Sequence, residues 1–310
     1  MKAVAIVKFP RLAPELLLKR LVVPETKVNM VLDTDTYNEV DDQFALVYAL
    51  LSTERLNLEA VYAAPFFNTR SSSPQDGMEK SFEEIHRVLD KLGIKRAGNF
   101  VCKGSTGYLE DLAAPCRSEA AADLIERAMA SEEPLYVVAV GAITNIASAL
   151  LLEPRLVEKI VVVWLGGNSL YWPTAKEFNL GQDILASRLV FDCGVPLVHL
   201  PCQNVVTHLA TTVAELERYI DGQSAIGTYL TDIVREYVKD RFAASKVIWD
   251  VAAVAYLVNP AWVLTHIVPS PILTDQVTWS EDKRRHFIKT AYQVHRDSIF
   301  ADLFQKIRSA

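Results

Sequence analysis

Short, nearly uninterrupted apolar runs alternate along this chain with stretches whose apolar residues recur at helical spacing. "VNMVLDTD" (28–35), "LNLEAVYAA" (56–64), "LYVVAVG" (135–141), "KIVVVWLGG" (159–167) and "PLVHLP" (196–201) are the apolar runs. Strands buried on both faces read this way, because neither face needs polar residues. "DDQFALVYALLS" (41–52), "MEKSFEEIHRVLDKLG" (78–93), "EAAADLIERAMAS" (119–131), "TNIASALLLEP" (144–154) and "DILASRLVFDCG" (183–194) have the spacing of helices. Repeated strand–helix units predict an α/β fold: an open, mainly parallel sheet with helices on both faces. From about 203 to 248 the pattern turns helical, as expected of a cap, and the C-terminal segment reads as a strand and then a helix. "NTRSSSPQDG" (68–77) reads as a loop. No internal repeat or linker divides the 310 residues, so a single domain over 1–310 is expected.

Several function classes are disfavoured by composition. No run of about 18 apolar residues exists, so a membrane span is not expected. The opening "MKAVAIVKFPRLAPELLLKR" is interrupted by Lys8 and Pro10 and lacks the pattern of a leader peptide. Cys102, Cys116, Cys193 and Cys202 show no CxxC spacing and read as free thiols, which points to a cytoplasmic setting. A formal charge of −6 argues against a general nucleic-acid partner. "DKRR" (282–285) is the one dense basic run, and a solvated turn accounts for it.

Open α/β sheets bind ligands at the carboxyl ends of their strands, and there the first strand runs into "VLDTDTYNEVDDQFAL" (31–46). Asp33, Asp35, Glu39, Asp41 and Asp42 crowd ten residues. A helix cap would employ one or two of them, at roughly 0.3–1 kcal/mol each. It leaves the rest facing desolvation and mutual repulsion, which a bound divalent cation would offset. No nearby His or Cys suggests zinc. Other acid-tipped patterns fail. A phosphatase of the haloacid-dehalogenase type needs Thr or Val where Tyr37 stands, and none of the 12 glycines precedes an Asp. An EF-hand loop needs a mid-loop glycine. Neither a P-loop nor a GxSxG motif is present.

An ordered series of motifs then resembles the nucleoside hydrolases of the inosine–uridine-preferring family, calcium-dependent enzymes that split the N-glycosidic bond of ribonucleosides. "DTDTYNEVDD" is similar to the family's opening Asp-x-Asp and Asp-Asp, with two extra residues between the pairs. Asn68 in "APFFN", the Gly-x-x-Thr-Asn turn in "VGAITNIASALLLEP", "WLGGN", "EFNLGQDILASRLVFDCGVPL" and "VIWDVAAVAYLVNP" follow in the family's order. The likeness runs from about residue 28 to 262.

The resemblance implies calcium held by Asp35, Asp42, Asp250 and the carbonyl of Val140. Asp35 would also take the proton of the attacking water. Asp41, Asn68, Asn179 and Asp250 would hold the 2′- and 3′-hydroxyls, and Glu177, with Asn168, would meet the 5′-hydroxyl. Taken by itself, Asp250 could equally cap the helix that follows it. A small-molecule riboside is the expected partner, and a homo-dimer or homo-tetramer the expected assembly.

Two departures stand out. The widened loop puts Tyr37, Asn38 and Glu39 near the pocket mouth, and Trp249 stands where many members have His. Losing that His removes one possible acid for the leaving base, while a Trp there resembles the purine-preferring members, in which it stacks on the base. Purine ribosides in a salvage role are therefore the expected substrates. Hydrolysis of another N-riboside or ribosylated metabolite is an alternative, and so is a non-catalytic calcium- or sugar-binding relative.

Overall fold

The structure is a computed structural model that describes residues 7–96 and 98–310; the first six residues of the segment read for a leader, and Ala97, lie outside the described residues. Strands β1 (Val28–Thr34), β2 (Leu56–Ala63), β3 (Val101–Lys103), β4 (Leu135–Ala139), β5 (Ile160–Leu165) and β6 (Leu197–Leu200) are rich in the Val, Ile and Leu that fit a pleated, buried surface. A two-residue ribbon follows, β7 (Ala210–Thr211) against β8 (Lys246–Val247). Then come β9 (Val263–Pro269), a second ribbon of β10 (Ile272–Leu273) and β11 (Trp279–Ser280), and β12 (Phe287–Val294).

The eight-stranded central sheet has the order β3-β2-β1-β4-β5-β6-β12-β9. Every described pairing in it is parallel except β12 with β9. From β1 the chain moves outward through β2 and β3, then returns to place β4 on the other side of β1. The strand order therefore reverses between β1 and β4, which is where such sheets open a crevice for ligands.

Among the described residues the α-helices, in chain order, are α1 (Pro14–Arg20), α2 (Asp42–Leu51), α3 (Pro74–Lys91), α4 (Glu119–Ala130), α5 (Thr144–Leu152), α6 (Phe178–Gln182), α7 (Ile184–Asp192), α8 (Val213–Tyr219), α9 (Ala225–Val238), α10 (Val251–Val258) and α11 (Arg296–Arg308). Because side chains alternate along a strand, the sheet feeds two cores. Met30, Leu32, Val138 and Val163 point to the layer of α2, α3, α10 and α11. Val31, Val137, Val162 and Trp164 point to the layer of α4, α5 and α7.

The sequence reading needs adjustment in several places, three of which bear on the cap and the sheet edge. Helix α3 begins at Pro74, inside the stretch read as loop: proline suits the first helical turn, and the Ser73 side chain caps it by accepting from the Asp76 amide at 3.1 Å. The cap segment contains α8 and α9 but also the β7–β8 ribbon. Strand β9 was not anticipated; it is an antiparallel edge with mostly exposed or half-buried residues, and so lacks the continuous apolar signature.

Candidate active site

At the carboxyl edge of β1 and β4 lies a cavity of about 250 Å³. Its floor gathers acids from three segments. Asp35 follows β1, Asp41 and Asp42 open α2, and Asp250 precedes α10; all four are buried. Neither Asp41 nor Asp250 bonds through its side chain to the helix it starts, although each occupies the N-cap position. Capping is not what these carboxylates do here. Asp42 accepts from the Thr34 hydroxyl at 2.5 Å. Asp41 accepts from the Lys246 ammonium at 3.0 Å and from the Trp249 amide at 3.1 Å.

Asp35 has neither of its carboxylate oxygens hydrogen-bonded, and both are buried. An unpaired buried carboxylate is among the costliest groups a fold can carry. Carboxylate oxygens of Asp41, Asp42 and Asp250 lie within 4.8 Å of one another, and Asp35 is outside that closest trio. Burial, then the charge of Asp42, pushes Asp35 well above the usual carboxylate range. Burial, then Asp41, holds Asp42 at about 7, and the same two causes raise Asp250. Hard-oxygen donors that resist ionisation until a cation arrives suit a divalent ion such as calcium.

The surrounding backbone is shaped to admit this cluster. A Cβ on Gly141 would lie 3.1 Å from the Asp35 carboxyl carbon, so a side chain there would crowd the acid. Gly167 turns the chain at φ +73°, a conformation glycine adopts without strain. Its amide donates to Glu177 at 2.8 Å. Asn145, from the Thr-Asn turn, donates to Asp33 at 2.7 Å and ties the end of β1 to α5.

The expected sugar contacts divide into two groups. Asn168, Glu177 and Asn179 line the cavity together with Val140. Asn179 donates to the Val140 carbonyl at 2.8 Å, which uses one of the two lone pairs on that oxygen. Glu177 is engaged with the amides of Gly167, Asn179 and Leu180, and Asn168 donates to the carbonyls of Thr174 and Lys176. Asn68 and Tyr37 do not line the cavity. Asn68 instead donates to the Asn38 side-chain oxygen at 2.6 Å, and Asn38 is the residue on the wall. Tyr37 lies under the Arg70 guanidinium, 4.8 Å from its ring centre, and Arg70 also holds the Glu39 carbonyl at 2.7 Å. The widened loop is therefore firmly anchored, with Asn38 and Glu39 facing the cavity.

Trp249 also reaches the cavity, while the rest of its half-buried ring packs against the core. Phe178, partly exposed, adds a second aromatic wall. Sequence reading missed Phe178, although it lies inside "EFN", and it missed Lys246, for which no local signal exists.

Comparison with known proteins agrees with this geometry. The profile of the "Inosine-uridine preferring nucleoside hydrolase" family matches residues 30–301. A pyrimidine-specific ribonucleoside hydrolase, RihB, of Escherichia coli is 33% identical over 152 residues, 46% of this chain and 47% of the relative. The aligned part thus spans about half the length of the curated relatives. Among solved structures, a purine-preferring ribonucleoside hydrolase from Gardnerella vaginalis superposes with a TM-score of 0.75 at 20% identity, covering 91% of this chain and 98% of the other. An inosine–uridine-preferring nucleoside hydrolase from Bacillus anthracis gives a TM-score of 0.67 at 18% identity over 92% of this chain and 100% of the other. With a match across most of its length and an acid-floored crevice at the sheet's switch point, this chain belongs to the inosine–uridine-preferring nucleoside hydrolase family.

Proposed function

We propose that this protein hydrolyses the N-glycosidic bond of ribonucleosides, with purine ribosides favoured and calcium as its resident ion. One observation carries the reading: the unpartnered, buried carboxylate of Asp35 beside Asp42 and Asp250 on the floor of the cavity. Asp35, Asp42, Asp250 and the Val140 carbonyl would hold the ion. When bound, it supplies the positive charge that returns these buried acids to their ionised forms.

In that form Asp35 accepts a proton from a water molecule as its oxygen bonds to the anomeric carbon. The carbon–nitrogen bond breaks on the opposite face, and its electron pair leaves with the base. Positive charge develops on the ribose in the transition state, and the anionic floor favours it. Asp41, Asp250 and the side-chain oxygen of Asn179 accept from the sugar hydroxyls, since both Asn179 amide hydrogens are already given to the Val140 and Leu165 carbonyls. Trp249 and Phe178 offer aromatic faces to the base. No His stands at position 249 to protonate the leaving base, so its proton comes from solvent; Asn38 and Glu39 form a polar wall of the cavity. That wall also supports a second reading, in which the substrate is a different N-riboside with polar groups facing those two side chains.

A screen of purine, pyrimidine and modified ribosides for release of free ribose tests the proposal. Asp35→Asn should lower turnover by about a hundredfold or more, the scale of a positioned general base, while leaving the fold intact. Undiminished hydrolysis by that variant, with calcium present, would remove Asp35 from the reaction. A pyrimidine preference would restrict the proposal to the reaction class.

A further inference from the structure

Lys246 is buried to within 4% and stands four residues before Asp250. Lysine is rarely buried this deeply unless its charge is paired. Here the β7–β8 ribbon carries it beneath the acid cluster, where the ammonium makes three hydrogen bonds. One goes to Asp41 at 3.0 Å, one to the Glu39 carboxylate and one to the Val247 carbonyl at 2.8 Å. The Tyr237 ring centre lies 5.4 Å from the ammonium, and the Tyr237 hydroxyl donates to Glu39 at 3.3 Å. Burial pulls the lysine toward its neutral form, and the charges of Asp41 and Glu39 outweigh that, so the net shift is upward. The side chain is a fixed cation.

Its position poses a choice for Asp41. An oxygen of Asp41 comes within 4.8 Å of oxygens from Asp42 and Asp250, so by spacing alone it could join them around a divalent ion. A carboxylate that already faces an ammonium at 3.0 Å is a poor ligand for a second cation, because the two cations repel across it. Sugar hydroxyls are neutral donors and pay no such penalty at the lone pairs that remain. We propose that Lys246 is a positioning residue that keeps Asp41 out of the calcium ligand set and reserves it for substrate hydroxyls. Glu39, supplied by the widened loop, is its outer anchor. The inference rests on the calcium and riboside reading above.

Calorimetric titration of calcium, without substrate, separates the possibilities when run on wild type, Lys246→Met, Asp41→Asn and the double variant. Lys246→Met should bind calcium about tenfold tighter or more, the scale on which a neighbouring charge moves an ionisation equilibrium. Its KM for a riboside that the wild type hydrolyses should rise about tenfold, as for a lost hydrogen bond to a charged group, with kcat changing less. In the Asp41→Asn background the Lys246 substitution should leave calcium affinity nearly unchanged. Unaltered or weaker calcium binding by Lys246→Met overturns the proposal, as does equal tightening in the Asp41→Asn background. If Lys246→Met does not fold, Glu39→Gln keeps the ammonium and leaves it to Asp41 alone; calcium should then bind severalfold more weakly, and unchanged affinity overturns the idea. A wild type without calcium affinity overturns this inference and the calcium reading together. A wild type that binds calcium and releases no ribose overturns only the enzymatic reading, and the calcium titrations still decide the role of Lys246.

Discussion

Residues whose neighbours come from distant segments carry most of what is particular to this site, and His199 shows how far such support extends behind the cavity. It is fully buried in β6, with Nε2 2.8 Å from the Gly166 carbonyl and Nδ1 3.1 Å from the Thr290 hydroxyl. A carbonyl can only accept, so Nε2 carries the proton and Nδ1 accepts from Thr290. Burial lowers its pKa from 6.5 to about 4, partly opposed by the bond to Gly166. Between those values the unfolded chain binds a proton that the folded one does not. Stability therefore falls as pH drops through that window and levels off below about 4, a loss of about 3 kcal/mol in all. Thermal melts of wild type and His199→Gln from pH 7 to pH 4 should show a smaller decline in the variant; parallel curves would remove His199 as the cause. The acids of the cluster were legible in the sequence because several crowd one strand end. Lys246 was not, since an isolated lysine in a cap segment acquires meaning only when the fold brings it to Asp41.

Elements differ in the same way. The strands with continuous Val and Ile runs could be read directly, and so could helices with clear apolar spacing. Helix α6 escaped because five residues hold too little of a period, and its start depends on the Glu177 side chain. The turn entering α10 is the informative case, because Trp249 there is half in the core and half on the cavity wall. A Trp buried on all sides would cost about 3–5 kcal/mol of stability on truncation to Ala. Trp249→Ala should cost less than that. It should lower kcat/KM on purine ribosides about tenfold, in line with lost aromatic stacking. Kinetics and melting on the one variant check this. A collapsed melting temperature with normal kinetics in the surviving fold would make Trp249 structural and take away the basis for purine preference.

At the scale of the whole molecule, the two cores and the reversal of strand order between β1 and β4 bring four buried acids together on one floor. Calcium at a hundredfold excess over its Kd should stabilise the protein by about 2.7 kcal/mol. For a chain of this size that amounts to about 4 °C in Tm, and a chelator should reverse it. A melting temperature indifferent to millimolar calcium would count against a resident ion. The hydrogen bond from the Trp249 amide to Asp41 spans 208 positions of chain. Closing so long a loop is slow and entropically costly, and it becomes favourable only once the sheet between its ends has formed. The contact that closes the acid floor is thus expected among the later ones to form. On the calcium reading, the ion should then slow unfolding more than it speeds folding, and unfolding and refolding rates measured with calcium and with a chelator check this.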